Sequence, residues 1–206
     1  ANALPSFRAA LPGISFQLLS GSTEKVAKLV REDVAHFGFA FNPDREQALR
    51  VIERVRQPLE VLLSPQSKHA GSGVAMSMSQ LTEIPLALPR PDFGIGTLLR
   101  ETEATYGVRL SGLVETDSLA VLRNFVREDI GATILPAFVV ARELADGHVV
   151  TVPLDIPELQ KGEATILVRT GRRLPEAASR LATHAARAML AFRRKIQVPN
   201  VAPNAT

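Results

Sequence analysis

The chain has 206 residues, 46% of them apolar and 22% charged, a globular mix with length for one large domain or two small lobes. It has no Cys and no Trp, and aromatics make up only 5%; a disulfide scaffold, a thiol nucleophile and a Cys-ligated metal site are excluded, and an aromatic platform for single-stranded nucleic acid is disfavoured. The 24 basic and 21 acidic residues leave a net charge of +3, and the longest basic runs, Arg172-Arg173 and Arg193-Arg194-Lys195, lie near the ends of one predicted helix rather than on a phosphate-binding face.

In chain order, residues 3–11 read as a short amphipathic helix stopped by Pro12-Gly13. Ile14 to Leu19 alternates apolar and polar residues and predicts a strand with Ile14, Phe16 and Leu18 on one face. Ser20-Gly21-Ser22-Thr23 is a loop that ends in a helix cap, and Val26, Leu29 and Val30 stripe the helix that follows, to about residue 33. His36 to Phe41 is a strand, ended by the turn signal Asn42-Pro43-Asp44. Leu49 to Leu63 is extended and interrupted by Pro58, long enough to cross between lobes. Residues 64–82 form a Ser/Gly/Met-rich loop with a short helix at 77–81.

A short buried strand follows at Pro85 to Pro89. The loop from Arg90 to Gly94 leads into a helix of about 94–106. Arg109 to Val114 is a strand; Asp117 or Ser118 caps a helix with Leu119, Leu122, Phe125 and Val126 inward. Thr133 to Leu135 is a strand stopped by Pro136, followed by a short helix at 137–145 and strands at 149–153 and 165–169. The longest helix runs from Pro175, where a helix start tolerates proline, to about Arg194. A frayed tail is expected over Val198–Thr206. Strands alternating with helices predict a parallel α/β sheet, and no repeat of solenoid period is present.

No apolar run approaches the roughly 18–20 residues of a membrane span. The N-terminus lacks the charged and apolar regions of an export signal, and Leu4, Phe7 and Leu11 already stand at helical spacing, as in a chain that begins inside a larger protein. His36, His69, His148 and His184 do not pair at metal-ligand spacings, so no metal site is expected. Gly94-Ile95-Gly96 lacks the third glycine of a dinucleotide fingerprint, position 99 being Leu, and no cofactor is expected. Ser118, His148 and Asp117 make a triad only on paper, without a Gly-x-Ser-x-Gly elbow, so the chain does not read as an enzyme.

Three loops follow strand ends and precede helices, where open α/β sheets bind ligands. Ser20, Gly21, Ser22 and Thr23 either offer hydroxyls and N–H groups to an anion or simply cap a helix. Thr116, Asp117 and Ser118 form a polar pocket wall or, again, a cap. Arg90 pairs with a ligand carboxylate or is a solvated loop charge. Helix N-termini, the hydroxyls and Arg90 favour a small organic carboxylate; Asp92, Glu115 and Asp117 favour an amine or an amino acid.

The order of these pieces resembles the effector-binding domain of LysR-type transcriptional regulators. Leu4-Pro5-Ser6-Phe7-Arg8, then Leu11-Pro12-Gly13-Ile14-Ser15-Phe16-Gln17-Leu18, is similar to that family's first helix running into its PG-V-x-L-x-L segment. Ser20 to Thr23 matches its x-G-S/T-x loop, and Ile84 to Pro89 its PLILP strand. Val114 to Ser118 followed by Gly131 to Pro136 matches E-x-x-S … G-x-G-I-x-L-L-P. The match extends over about residues 3–194.

The resemblance implies two Rossmann-like α/β lobes, like a type 2 periplasmic binding protein, joined by two crossover segments. Lobe I would be 1–60 plus 163–206 and lobe II 61–162, with a small-molecule effector between them. Ser20, Gly21, Ser22, Thr23, Arg90, Thr116, Asp117, Ser118 and Pro136 would line that site. The resemblance also implies a bacterial, cytoplasmic regulator whose winged helix-turn-helix, absent from this chain, carries promoter DNA binding, with a homodimer that becomes a tetramer at full length. The dimer would pack the first helix and Ile14–Leu19 against lobe II of the other copy. By itself the chain is expected not to bind DNA tightly. Two departures stand out: the family's opening strand and its Ser/Thr-bearing loop precede the first helix and are missing here, and Arg90 replaces a small polar residue. Alternatives are a solute-binding receptor of the same fold, which needs an export signal, and an α/β enzyme, which needs a nucleophile–base pair or a metal set.

Overall fold

The computed structural model describes residues 3–10, 12–71 and 73–196; the tail expected at Val198–Thr206 lies outside the described residues. The chain opens with α1 (Ala3–Ala10), which packs against the last helix. Its Phe7 is buried, with ring centroids 6.4 Å from Phe16 and 6.0 Å from His184. α2 (Thr23–Arg31) is capped by Ser22 and buries Ala27 and Val30. The strands β1 (Gly38–Phe41) and β2 (Leu49–Arg56) follow, and β3 (Leu59–Leu63) begins after only Gln57-Pro58.

After α3 (Met78–Leu81) come β4 (Leu86–Pro89), α4 (Gly94–Tyr106), β5 (Gly112–Thr116), α5 (Leu119–Arg127) and β6 (Ala132–Pro136). A 3₁₀ turn at 137–140 runs into α6 (Ala141–Ala145), then β7 (Val150–Val152), β8 (Glu163–Arg169) and α7 (Glu176–Ile196).

The strands form two sheets, a three-stranded one in the order β1-β8-β2 and a five-stranded one in the order β5-β4-β6-β3-β7. The expectation of a parallel sheet holds only in part. β4 runs parallel to both β5 and β6, but β3 is antiparallel to β6 and β7, and the smaller sheet is antiparallel throughout. β1 and β2 do not pair with each other; both pair with β8, which returns from late in the chain and runs against them.

In the larger sheet both faces are covered. Leu59, Val61, Leu86, Leu88 and Ile134 pack with Met78, Leu81, Leu99 and Leu110 on one side. Leu62, Ala87 and Leu135 pack with Leu122, Phe125 and Val126 of α5 on the other. Burial on two faces is why β4, Leu86-Ala87-Leu88-Pro89, reads as an unbroken apolar run. In the smaller sheet Ile166 meets Ala182 and Ala186 of α7. Its β2 edge is guarded by charge and by a bulge between Val51 and Glu53.

The β1 edge is different. Asn42 N–H donates to the Glu163 carbonyl at 3.0 Å, and antiparallel pairs alternate. Gly38 and Ala40 therefore bond β8, while the peptide groups of Phe39 and Phe41 point away from it, with no ladder partner among the described residues.

The strand expected at Ile14–Leu19 is not one. The segment is extended but belongs to no ladder, and Phe16, Leu18 and Leu19 are 39%, 68% and 45% exposed. Alternation supplies a face; a strand also requires a neighbour, and none of the described residues pairs with this segment. A smaller correction concerns Arg109–Val114, where the strand begins only at Gly112. Leu110 is held out of the ladder because its N–H donates to Glu103 Oε1 at 2.6 Å.

Candidate functional site

Two crossings join the sheets side by side. Gln57 N–H donates to the Gly162 carbonyl at 2.7 Å. Gly162 is buried, and a Cβ there would run into the Phe41 ring and the Gln57 carbonyl. Gln57 is only 4% exposed, and its Nε2 has no hydrogen-bond partner. Beside the crossing, burial pushes the Glu60 carboxyl above the usual carboxylate range, partly offset by a hydrogen bond from Thr151.

Because β4, β5 and β6 are parallel, their carboxyl ends, Pro89, Thr116 and Pro136, share one edge of the larger sheet. Arg90 N–H donates to the Thr116 carbonyl at 3.1 Å. Thr116 Oγ1 accepts from Ser118 N–H at 3.0 Å, and Ser118 Oγ caps α5 by accepting from Val121 N–H at 3.4 Å. Asp117 is exposed beside them and, with Glu115, adds weakly to the field on Arg90. Pro136 is buried opposite Leu59 and supplies shape without a donor.

Arg90 does not stand free. Its Nε donates to Asp92 Oδ1 at 3.1 Å, and that bond and the Asp92 charge raise its pKa. Both side chains are more than half exposed. Arg90 is thus a rim residue occupied by its own neighbour.

In the facing lobe, Ser22 Oγ accepts from Lys25 N–H at 3.3 Å, an ordinary cap. Thr23 reaches further: its Oγ1 accepts from Gly94 N–H at 3.0 Å, joining the start of α2 to the start of α4. That donor is available because the first N–H groups of a helix have no acceptor within it, and Gly94 opens α4. Gly94 is buried, and a Cβ there would overlap the Phe41 carbonyl oxygen. The structure therefore brings Thr23 to the 90–94 loop and that loop to Thr116 and Ser118. Ser20 is exposed and bonds none of them; Gly21 lies against the aliphatic part of Lys25.

The family model for the LysR substrate binding domain matches residues 1–190. The chain belongs to that family. Curated relatives are uncharacterized HTH-type transcriptional regulators of Mycobacterium bovis and Mycobacterium tuberculosis, 27% identical over 164 residues, covering 78% of this chain and 52% of theirs. The chain thus spans about half the length of the curated relatives it matches. Among solved structures, the effector binding domain of QuiR in complex with shikimate superposes with a TM-score of 0.69 at 12% identity, over 92% of this chain and 90% of that one. The Synechocystis CcmR regulatory domain in complex with 2-PG gives 0.71 at 15% identity, over 97% and 91%. These likenesses show the fold, the two-lobed arrangement of LysR effector-binding domains.

Three residues of the LysR domain's inter-lobe contact lay outside the expected set: Phe41, Gln57 and Gly94. For Gly94 a signal existed, a helix opening on glycine behind a residue that cannot cap it. Phe41 and Gln57 had none, since their places depend on how the two crossings stack. Among the described residues no cluster of three or more His, Asp or Glu is placed to hold a metal ion, and no helix is long and apolar enough to cross a membrane.

Proposed function

We propose that this chain is the effector-sensing part of a bacterial transcription regulator, with residues 1–60 plus 163–206 as one lobe, 61–162 as the other, and a small organic carboxylate bound between them. The observation that carries the reading is the junction at Thr23, Gly94 and Phe41, next to the Thr116–Ser118 turn. There two helix starts and several hydroxyls meet at the carboxyl edge of parallel strands, an anion-binding arrangement. The shikimate held by QuiR, itself a carboxylate, supports that class. Ser22, Ser118 and Thr116 would supply neutral contacts, and Arg90 would contribute its charge by leaving Asp92.

Effector binding would change how the lobes meet and so control DNA binding through a winged helix-turn-helix outside these residues. The chain itself would act in the cytoplasm without catalysing a reaction, as a homodimer that forms a tetramer at full length. The HTH-type relatives support this role. Thr116→Val removes one hydroxyl, a loss of about 0.5–1.5 kcal/mol, or more against a charged group. A thermal-shift screen of carboxylates and amines followed by calorimetric titration should show carboxylates binding and the variant weakened about threefold to tenfold. Equal affinity in Thr116→Val, Ser22→Ala and Ser118→Ala would place the site elsewhere.

A further inference from the structure

Where β2 passes into β3, Val55, Gln57 and Leu59 form one buried row, since alternate residues of an extended chain face the same way. Gln57 is the polar member of that apolar row. Its Nε2 carries two N–H donors and has no hydrogen-bond partner among the described residues. Buried donors are nearly always bonded, and one left without a partner weakens the fold. A donor kept in this state points to a partner from outside the chain.

Phe41 ties Gln57 to the Thr23–Gly94 junction. Its ring edge and the Gln57 carbonyl crowd the place where Gly162 would carry a Cβ, and its own carbonyl crowds that place on Gly94. One residue thus spans from the crossing to the loop that reaches Thr116. Leu59, next in the row, packs in the cluster that Phe41 and Ile95 of α4 join, so the row lies on the side of the sheet where α4 starts. The row and the Phe41 ring are apolar and the Gln57 amide is neutral. A neutral oxygen suits this point, whereas a carboxylate would be desolvated there without a countercharge.

We propose that Gln57 is a specificity-determining residue of the inter-lobe site, its Nε2 donating to a hydroxyl or carbonyl oxygen of the effector while the carboxylate stays at the helix starts. The effector is then a hydroxy or oxo acid rather than a plain hydrocarbon acid. This assignment rests on the reading of the cleft as a carboxylate site.

The test titrates the 206-residue chain with matched acids: shikimate against cyclohex-1-ene-1-carboxylate, 3-hydroxybenzoate against benzoate, and lactate against propanoate. In a pair that binds, the oxygenated acid should bind about threefold to tenfold more tightly. It should also shift the Gln57 side-chain NH₂ resonances, assigned by their loss in Gln57→Met, and the plain acid should not. In Gln57→Met, which keeps the length of the side chain without its donors, the ratio within the pair should fall to about one. Thr116→Val should weaken both members and preserve the ratio. Without any acid, Gln57→Met should melt no lower than the parent, because Nε2 gives up no bond within the fold. The proposal is overturned if the ratio survives in Gln57→Met, if the NH₂ resonances stay still when an oxygenated acid binds, or if Gln57→Met alone melts lower. Acids that bind at Thr23, Gly94 and Thr116 without preference would overturn it and leave the cleft reading standing; no binding by either member of any pair would overturn both.

Discussion

Gly94 carries more of the architecture than its size suggests. Its N–H is held by Thr23 and a Cβ on it would overlap the Phe41 carbonyl oxygen, so α2, β1 and the start of α4 meet at a residue without a side chain. Gly94→Ala must move backbone, the unyielding kind of overpacking, at a cost of about 1–3 kcal/mol or more. A lower melting temperature and a larger radius of gyration by solution scattering are expected; an unchanged radius would mean that the junction does not set the lobe spacing. Glu60 is a second such residue. Its folded-state pKa is raised, so the folded chain binds the proton more tightly than the unfolded one. Stability from this group is present below the unfolded carboxylate pKa and is lost as pH rises through the raised value. Glu60→Gln should melt higher than the parent at neutral pH and show a flatter pH profile just above the carboxylate range. Melting curves measured from pH 4 to pH 8 would check it.

At the scale of elements, the legible pieces were those whose signal is local. The caps at Ser22 and Ser118 stand beside the helices they start, and Leu86 to Pro89 is apolar throughout because both its faces are covered. What sequence could not supply was relation between segments. Ile14–Leu19 alternates like a strand, yet pairing decides strandhood. The start of β5 moved because a glutamate on α4 captures Leu110. In the candidate site, the loops were legible as loops, but not that Thr23 would cap a helix of the other lobe. The exposed Leu18 and Phe16 also bear on assembly, since together they offer apolar surface for the proposed dimer. Leu18→Glu should shift the chain toward monomer in sedimentation equilibrium; an unchanged association constant would move the interface elsewhere.

For the molecule as a whole, the smaller sheet is asymmetric in a way that governs its behaviour at high concentration. One margin, β2, is bulged and studded with arginine and glutamate; the other, β1, reads Gly-Phe-Ala-Phe, with Phe39 45% exposed and peptide groups that have no ladder partner among the described residues. A bare apolar margin is a template on which another chain can extend the sheet. Phe39→Lys gives up an edge contact with Phe37, whose ring centroid lies 5.5 Å away, at about 0.5–1.5 kcal/mol. It should nonetheless slow concentration-dependent light scattering, and equal scattering by the variant would show that growth proceeds by another route. The consequence is colloidal: concentration-dependent growth of the sheet is expected to start at Gly38–Phe41, and a segment that pairs there would suppress it.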